Sequence, residues 1–245
     1  MTTNAYIGTS GWNYDAWKDG FFEGVPKSKW LEHCAEQFNS LEVNGTFYRL
    51  QSEKTLKSWV ERTPDDFVFA AKGHRYLTHN KKLKDPDEPI VRSRDNNRPL
   101  EKKLAVKLWQ LPADLKKNVE RLEGFARALS NRWSSVRHAM EFRHTSWFDD
   151  EVAEVLSDYD LANCQSDAAD WPMWEAVTTD LVYVRLHGHT RTYASAYSNT
   201  LLDEWADKIR SWNKQGKDAY VYFDNDSEGA APYDALELME RVGLR

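Results

Sequence analysis

Short apolar, β-branched runs alternate along this chain with stretches whose apolar residues recur every three or four positions. These are the periods of strands and of amphipathic helices. The runs predict strands over residues 5–11, 40–46, 67–73, 103–111, 136–142, 161–166, 181–187 and 219–224. Helical spacing predicts helices over 27–38, 52–62, 115–129, 149–158, 201–212 and 231–242. In the first helix Trp30, Leu31, Cys34, Ala35 and Phe38 share one face. In the second, Ser52 stands where a capping hydroxyl is favoured, with Leu56, Trp59 and Val60 facing inward. Pro112 ends the fourth strand, since it brings no N–H to a ladder.

Eight strands that mostly alternate with helices are the pattern of parallel βαβ units. The 245 residues match the roughly 250 typical of a (β/α)8 barrel. A doubly wound open sheet competes, but it does not call for eight strands at this even spacing. No repeat, linker or break in composition marks a second domain. The expected architecture is therefore α/β, a single TIM-like barrel over residues 1–245. Residues 80–100 depart from the pattern: Pro86, Pro89 and Pro99 interrupt any long helix there, which predicts a long basic loop after the third strand. Loops of that length are often functional.

Composition narrows the class. With 41% hydrophobic and 29% charged residues the chain is ordinary globular material, not a disordered or collagenous one. No run approaches the roughly 18–20 apolar residues of a membrane helix. Met1-Thr2-Thr3-Asn4 leads straight into Ala5-Tyr6-Ile7, with no basic start and apolar stretch of a secretory leader. Cys34 and Cys164 match no zinc or redox spacing, so both are expected as small core residues in a reduced, cytoplasmic setting. Most of the eleven tryptophans should be buried anchors.

The net charge of -6 argues against a general nucleic-acid coat, yet residues 72–107 carry 11 Lys/Arg against 5 acids. A local basic segment on an acidic body points to one anionic ligand site, or simply to a solvated face.

Side chains alternate faces along a strand, and chemistry in such barrels sits at the C-terminal strand ends. Glu42, Asn44 and Thr46 share a face, as do Ala70, Lys72 and His74; Ala139, Glu141 and Arg143; Tyr183, Arg185 and His187; and Tyr222 and Asp224. An apolar row backs each set and should pack against helices. The polar row then converges on the barrel mouth, either as an internal salt-bridge network or as a ligand site.

These residues resemble the YecE-like family, also called domain of unknown function 72. The resemblance is carried by Gly8-Thr9-Ser10-Gly11-Trp12 with Tyr14 and Trp17, by 42–49 (Glu-Val-Asn-Gly-Thr-Phe-Tyr-Arg), and by 67–72 with Arg75, Thr78 and His79. Gln110-Leu111-Pro112, 141–147, 183–188 with Tyr193 and Tyr197-Ser198, and 220–226 continue it in order almost to the C-terminus. It implies a TIM-barrel-like fold and little about activity. One departure is Asp224-Asn225, where the family usually has two asparagines.

Two chemistries fit the mouth. Glu141, Asp167, His187 and Asp224 could hold a divalent metal, but Arg143 and Arg185 would compete for the carboxylates, so a metal is the less favoured reading. The favoured one is a small anionic or phosphorylated ligand. Lys72, Arg75, His79, Arg143 and Arg185 would supply donors and Ser10, Asn44 and Asn225 polar contacts; Trp12, Trp147, Tyr193 and Tyr197 would stack. Glu42, Glu141, His187 and Asp224 are then the candidate catalytic groups, and phosphoester or glycosidic hydrolysis the reaction class. On this reading, changing Arg143 or Arg185 to Ala abolishes ligand binding at nearly unchanged melting temperature. The alternative is a non-catalytic barrel that binds single-stranded nucleic acid through Lys81, Lys82 and Lys84, with affinity falling steeply with salt. No P-loop, GxSxG or GxGxxG occurs, and nothing in the sequence sets an oligomeric state.

Overall fold

A computed structural model describes residues 4–245, residue 101 by its backbone only. Residues 1–3, on which the reading of the N-terminal start partly rests, lie outside the described part. The strands are β1 (Ala5–Thr9), β2 (Ser40–Val43), β3 (Val68–Lys72), β4 (Leu104–Gln110), β5 (Arg137–Glu141), β6 (Leu161–Asp167), β7 (Leu181–Leu186) and β8 (Asp218–Phe223). All pair in parallel, in the order β1-β8-β7-β6-β5-β4-β3-β2, giving the nearly closed barrel that the periodicity predicts.

The seam between β1 and β2 is closed at its two ends. At the mouth, Ser10 and Glu42 form an isolated parallel bridge. At the opposite end the Asn39 side chain takes the place of a strand, accepting from the Ile7 amide at 2.8 Å and donating to the Ala5 carbonyl at 2.8 Å. Between them Gly8 is obligatory: a Cβ there would stand 1.9 Å from the Ser40 carbonyl oxygen.

The helices are α1 (Trp30–Gln37), α2 (Gly45–Tyr48), α3 (Glu53–Glu61), α4 (Asp87–Asn97), α5 (Val119–Arg132), α6 (Asp150–Asp158), α7 (Asn199–Lys214) and α8 (Ala231–Arg241). Their ends follow side-chain capping. Ser52 accepts from the Thr55 amide, as its position predicts. Asn118 accepts from the Arg121 amide, which starts α5 four residues later than apolar spacing alone suggests.

The segment after β3 is more ordered than its prolines imply. A π-helical turn (Tyr76–Asn80) leads into α4, where Pro86 is the cap position and Pro89 lies in the first turn. A proline costs a helix little in the first turn, where its missing N–H has no partner to lose. The expectation of a mere loop is corrected to an 11-residue helix.

Two apolar layers confirm the alternation. Ala70, Val106, Leu108, Ala139, Cys164, Tyr183 and Tyr222 fill the barrel interior. Phe69, Trp109, Met140, Val184 and Phe223 pack outward in the larger cluster with the helices. Both cysteines are buried and free. Among the described residues no helix is long and apolar enough to cross a membrane.

Candidate functional site at the barrel mouth

Above the apolar interior layer the same parity turns charged. Arg185 is 1% exposed and lies at the centre. Its Nε donates to both Glu42 oxygens at 3.1 Å and its Nη2 to Glu42 Oε1 at 2.8 Å. Nη1 donates to Glu141 Oε2 at 3.1 Å, and Nη2 also to Asp224 Oδ2 at 2.9 Å. Strands β2, β5, β7 and β8 are thus tied through one guanidinium.

The carboxylates around it are satisfied. Glu42 also accepts from the Tyr183 hydroxyl at 2.6 Å and from the Ser10 hydroxyl. Ser10 in turn accepts from Asn44 Nδ2 at 2.7 Å. Glu141 Oε1 accepts from Arg143 Nε at 2.6 Å and from the Ser166 hydroxyl at 3.1 Å. Burial alone would raise the Glu141 carboxyl, but the Arg143 and Arg185 charges reverse that and hold it well below its ordinary range. Asp224 is lowered too: burial opposes the shift, and Arg185 and His187 overcome it.

His187 is fully buried. Its Nε2 faces Arg185 Nη1 at 3.3 Å and Arg143 Nη2 at 3.4 Å. A guanidinium only donates, so Nε2 is the acceptor in both contacts. Nδ1 is 2.8 Å from Asp224 Oδ2, at an angle that makes no hydrogen bond.

A second group of cations borders this cluster on the β3 side. The Lys72 ammonium stands 4.6 Å from the Phe47 ring centroid and, among the described residues, makes no hydrogen bond or ion pair. Burial first, then the nearby Arg185 charge, lowers its pKa to about 8. Arg75 lies 5.8 Å from the same ring, and His79 meets it edge-on at 4.9 Å. Burial, with the Lys72 and Arg75 charges behind it, lowers the His79 pKa.

Two residues outside the sequence-derived set belong here. Trp171, on the loop after β6, lies with its ring centroid 3.8 Å from the Arg143 guanidinium carbon and 5.1 Å from the His187 ring. Its indole donates to Ser166 Oγ at 3.2 Å. Asp226, two residues beyond Asp224, has its pKa pushed up to about 7 by burial and by the Asp224 charge. Asp226 lies in the turn beyond β8 and Trp171 in the loop after β6, so strand periodicity selects neither.

Several expected contacts lie elsewhere. Trp147 is 1% exposed, stacks on Phe142 at 5.0 Å and donates to the Leu115 carbonyl, so it is a core residue and no stacking platform. Trp12 packs edge-on against Trp59 at 5.3 Å and beside Phe69, outside the barrel wall. Asn225 points outward by the same parity that sends Asp224 in, and donates to the Ser195 carbonyl and to Asp234. Tyr197 is 5% exposed, and its hydroxyl donates to Asp167 Oδ2 at 2.7 Å. Tyr193 does reach the mouth: it is 43% exposed and meets the His187 ring edge-on at 5.5 Å. Among the described residues no group of three or more His, Cys, Asp or Glu is arranged to hold a metal ion. Asp167, weighed as a ligand, instead serves Tyr197 and stands 3.0 Å from His189 Nδ1.

A family model described as protein of unknown function DUF72 matches residues 6–245. The UPF0759 protein YunF of Bacillus subtilis (strain 168) is 25% identical, over 98% of this chain and 95% of its own. The UPF0759 protein YecE of Escherichia coli (strain K12) is 28% identical over 58% of this chain and 50% of its own. The crystal structure of a DUF72 family protein from Thermotoga maritima MSB8 superimposes with a TM-score of 0.87 at 27% identity, covering 98% of this chain and 99% of that one.

Proposed function

Taking as premise that the chain belongs to the DUF72 family, whose description assigns no activity, we propose that it is a barrel enzyme acting on a small phosphorylated substrate held over the strand ends. The observation that carries this reading is Lys72. An ammonium partly withdrawn from water without a carboxylate partner is costly, and an incoming anion would supply the missing charge. Arg143, just beyond β5, adds donors at the mouth: its Nη1 is unengaged among the described residues, while Nε is fixed by Glu141 and the guanidinium plane by Trp171. Asn44 Oδ1, buried without a partner, is a further polar contact for a ligand hydroxyl.

The catalytic roles shift from the sequence-based assignment. Glu42 and Glu141 are engaged on both oxygens by Arg185, Arg143, Tyr183 and Ser10, so they position cations rather than exchange protons. Asp226 is the group we assign as proton carrier: it is buried beside Tyr14, two residues beyond Asp224, and burial with the Asp224 charge pushes its pKa up to about 7 while Asp224 is lowered. Protonated Asp226 gives its proton to the leaving oxygen as the phosphoester or glycosidic bond breaks, water adds its oxygen to the phosphorus or anomeric carbon, and the proton that water releases returns Asp226 to its acid form. The nucleic-acid alternative draws less support: Lys81 pairs with Asp85 at 3.1 Å and Lys82 with Asp114 at 2.9 Å.

Calorimetric titration with inorganic phosphate tests the anion site. Wild-type protein should bind and gain melting temperature, and Lys72→Met should remain folded and lose at least about tenfold in affinity, equivalent to about 1.4 kcal/mol. Phosphate affinity unchanged in Lys72→Met would overturn the reading.

A further inference from the structure

Outside the barrel, between the end of α2, the Tyr76–Asn80 turn and α4, lies a cavity of about 740 Å³ that none of the mouth chemistry uses. Its size falls within the roughly 300–1,000 Å³ of small-molecule sites. Its floor is the edge of the buried Trp109, brought close because Gly73 has no side chain; a Cβ there would lie 2.2 Å from the indole. Tyr48 and Tyr76 line it at 69% and 50% exposure, large aromatic faces left in water.

Arg49 and Arg92 line the same cavity and are exposed, and among the described residues neither guanidinium makes a hydrogen bond or ion pair. Of the three acidic residues at its rim, Asp85 is answered by Lys81 at 3.1 Å and Asp87 by Arg132 at 2.7 Å, while Glu88 is left to face the arginines. Ser93 is 4% exposed at the wall, and its hydroxyl has no hydrogen-bond partner.

We propose that this cavity is a second ligand site, for a compact aromatic ring bearing a phosphate or carboxylate. The ring lies against Tyr48 and Tyr76, whose faces accept any planar π-system. The anionic group is gripped by Arg49 and Arg92, since guanidinium geometry suits both phosphate and carboxylate. The Ser93 hydroxyl donates to the same group or to a ring substituent. Phe47 touches a residue of each site: Tyr48 lies edge-on to it at 5.1 Å, and the Lys72 ammonium stands 4.6 Å from its centroid.

The test uses Lys72→Met, in which phosphate binding at the mouth is weakened at least about tenfold. Titrated with phenyl phosphate, this variant should bind one equivalent, and benzoate should compete. Adding Arg49→Ala and Arg92→Ala should weaken phenyl phosphate at least about tenfold at unchanged melting temperature, because both side chains are exposed and unpaired. Tyr48→Ala with Tyr76→Ala should weaken phenyl phosphate while leaving inorganic phosphate unaffected. Failure of phenyl phosphate to bind Lys72→Met, or binding indifferent to the loss of both arginines, would overturn the proposal. Neither outcome depends on whether the mouth binds phosphate in the wild-type chain.

Discussion

Arg185 and Glu42, from β7 and β2, meet across the barrel mouth through contacts of 2.8–3.1 Å, with both side chains essentially out of water. Removing one partner leaves the others as buried, uncompensated charge. Arg185→Ala removes the cation shared by Glu42, Glu141 and Asp224 and leaves Arg143 on Glu141 as the one arginine paired to them among the described residues. It should cost about 3–5 kcal/mol, read as a lower urea midpoint. This burial predicts the opposite of the sequence-based expectation that the change spares the melting temperature. That expectation is retained in part for Arg143, whose guanidinium stands nearer to solvent.

Asp226 predicts a pH dependence of its own. Its folded pKa is about 7 against an ordinary value of 3.8, so from about pH 4 to 7 the folded state binds more protons and stability falls as pH rises. Asp226→Asn should raise the melting temperature at pH 8, by roughly 2–4 °C per kcal/mol recovered. The gain should fade toward pH 4. If Asp226 is the acid, kcat/KM falls as pH rises through about 7, and the variant loses that limb. A variant equally stabilised at pH 4 and 8 would contradict this assignment.

Lys72 gives the opposite sign. Its folded value of about 8 lies below the ordinary 10.5, so the burial cost is fully present below pH 8 and disappears by about pH 10.5. Lys72→Met should therefore stabilise the protein at pH 7 and have little effect above pH 10. Denaturant titrations at the two pH values check it.

Trp147, after β5, and Trp171, after β6, separate core from site. Trp147→Ala should cost about 3–5 kcal/mol, as large core truncations do, and alter ligand binding little in the protein that remains folded. Trp171→Ala should cost only about 0.5–2 kcal/mol, the range of a cation–π contact. It should nevertheless weaken phosphate binding, because the Arg143 plane loses its support. Trp171→Phe should restore most of that affinity.

The barrel and the convergence of Glu42, Lys72, Glu141, Arg143, Arg185, His187 and Asp224 were legible because strand alternation is a local, two-residue rule. Asn225 shows the same rule neglected: as the neighbour of inward Asp224 it has to face out. Trp147 and Tyr197 stand in loops, where no period tells a buried ring from an exposed one, and only tertiary packing separates them. Trp171 was illegible for the same reason. The helix within residues 80–100 is hidden because its prolines stand at the cap and in the first turn, where they do not break it. The degree to which the carboxylates are already spoken for depends on strand register across the whole barrel, which no single strand encodes.

The Ser10–Glu42 bridge gives the seam a consequence for how the cylinder breathes. Glu42 is both the anchor of Arg185 and half of the last backbone link between the first strand and the second. The central ion cluster and the closure of the wall are therefore one cooperative unit. Disturbing the charges should loosen the zipper, seen as faster deuterium uptake at the Gly11 amide, which donates to the Glu42 carbonyl at 2.8 Å.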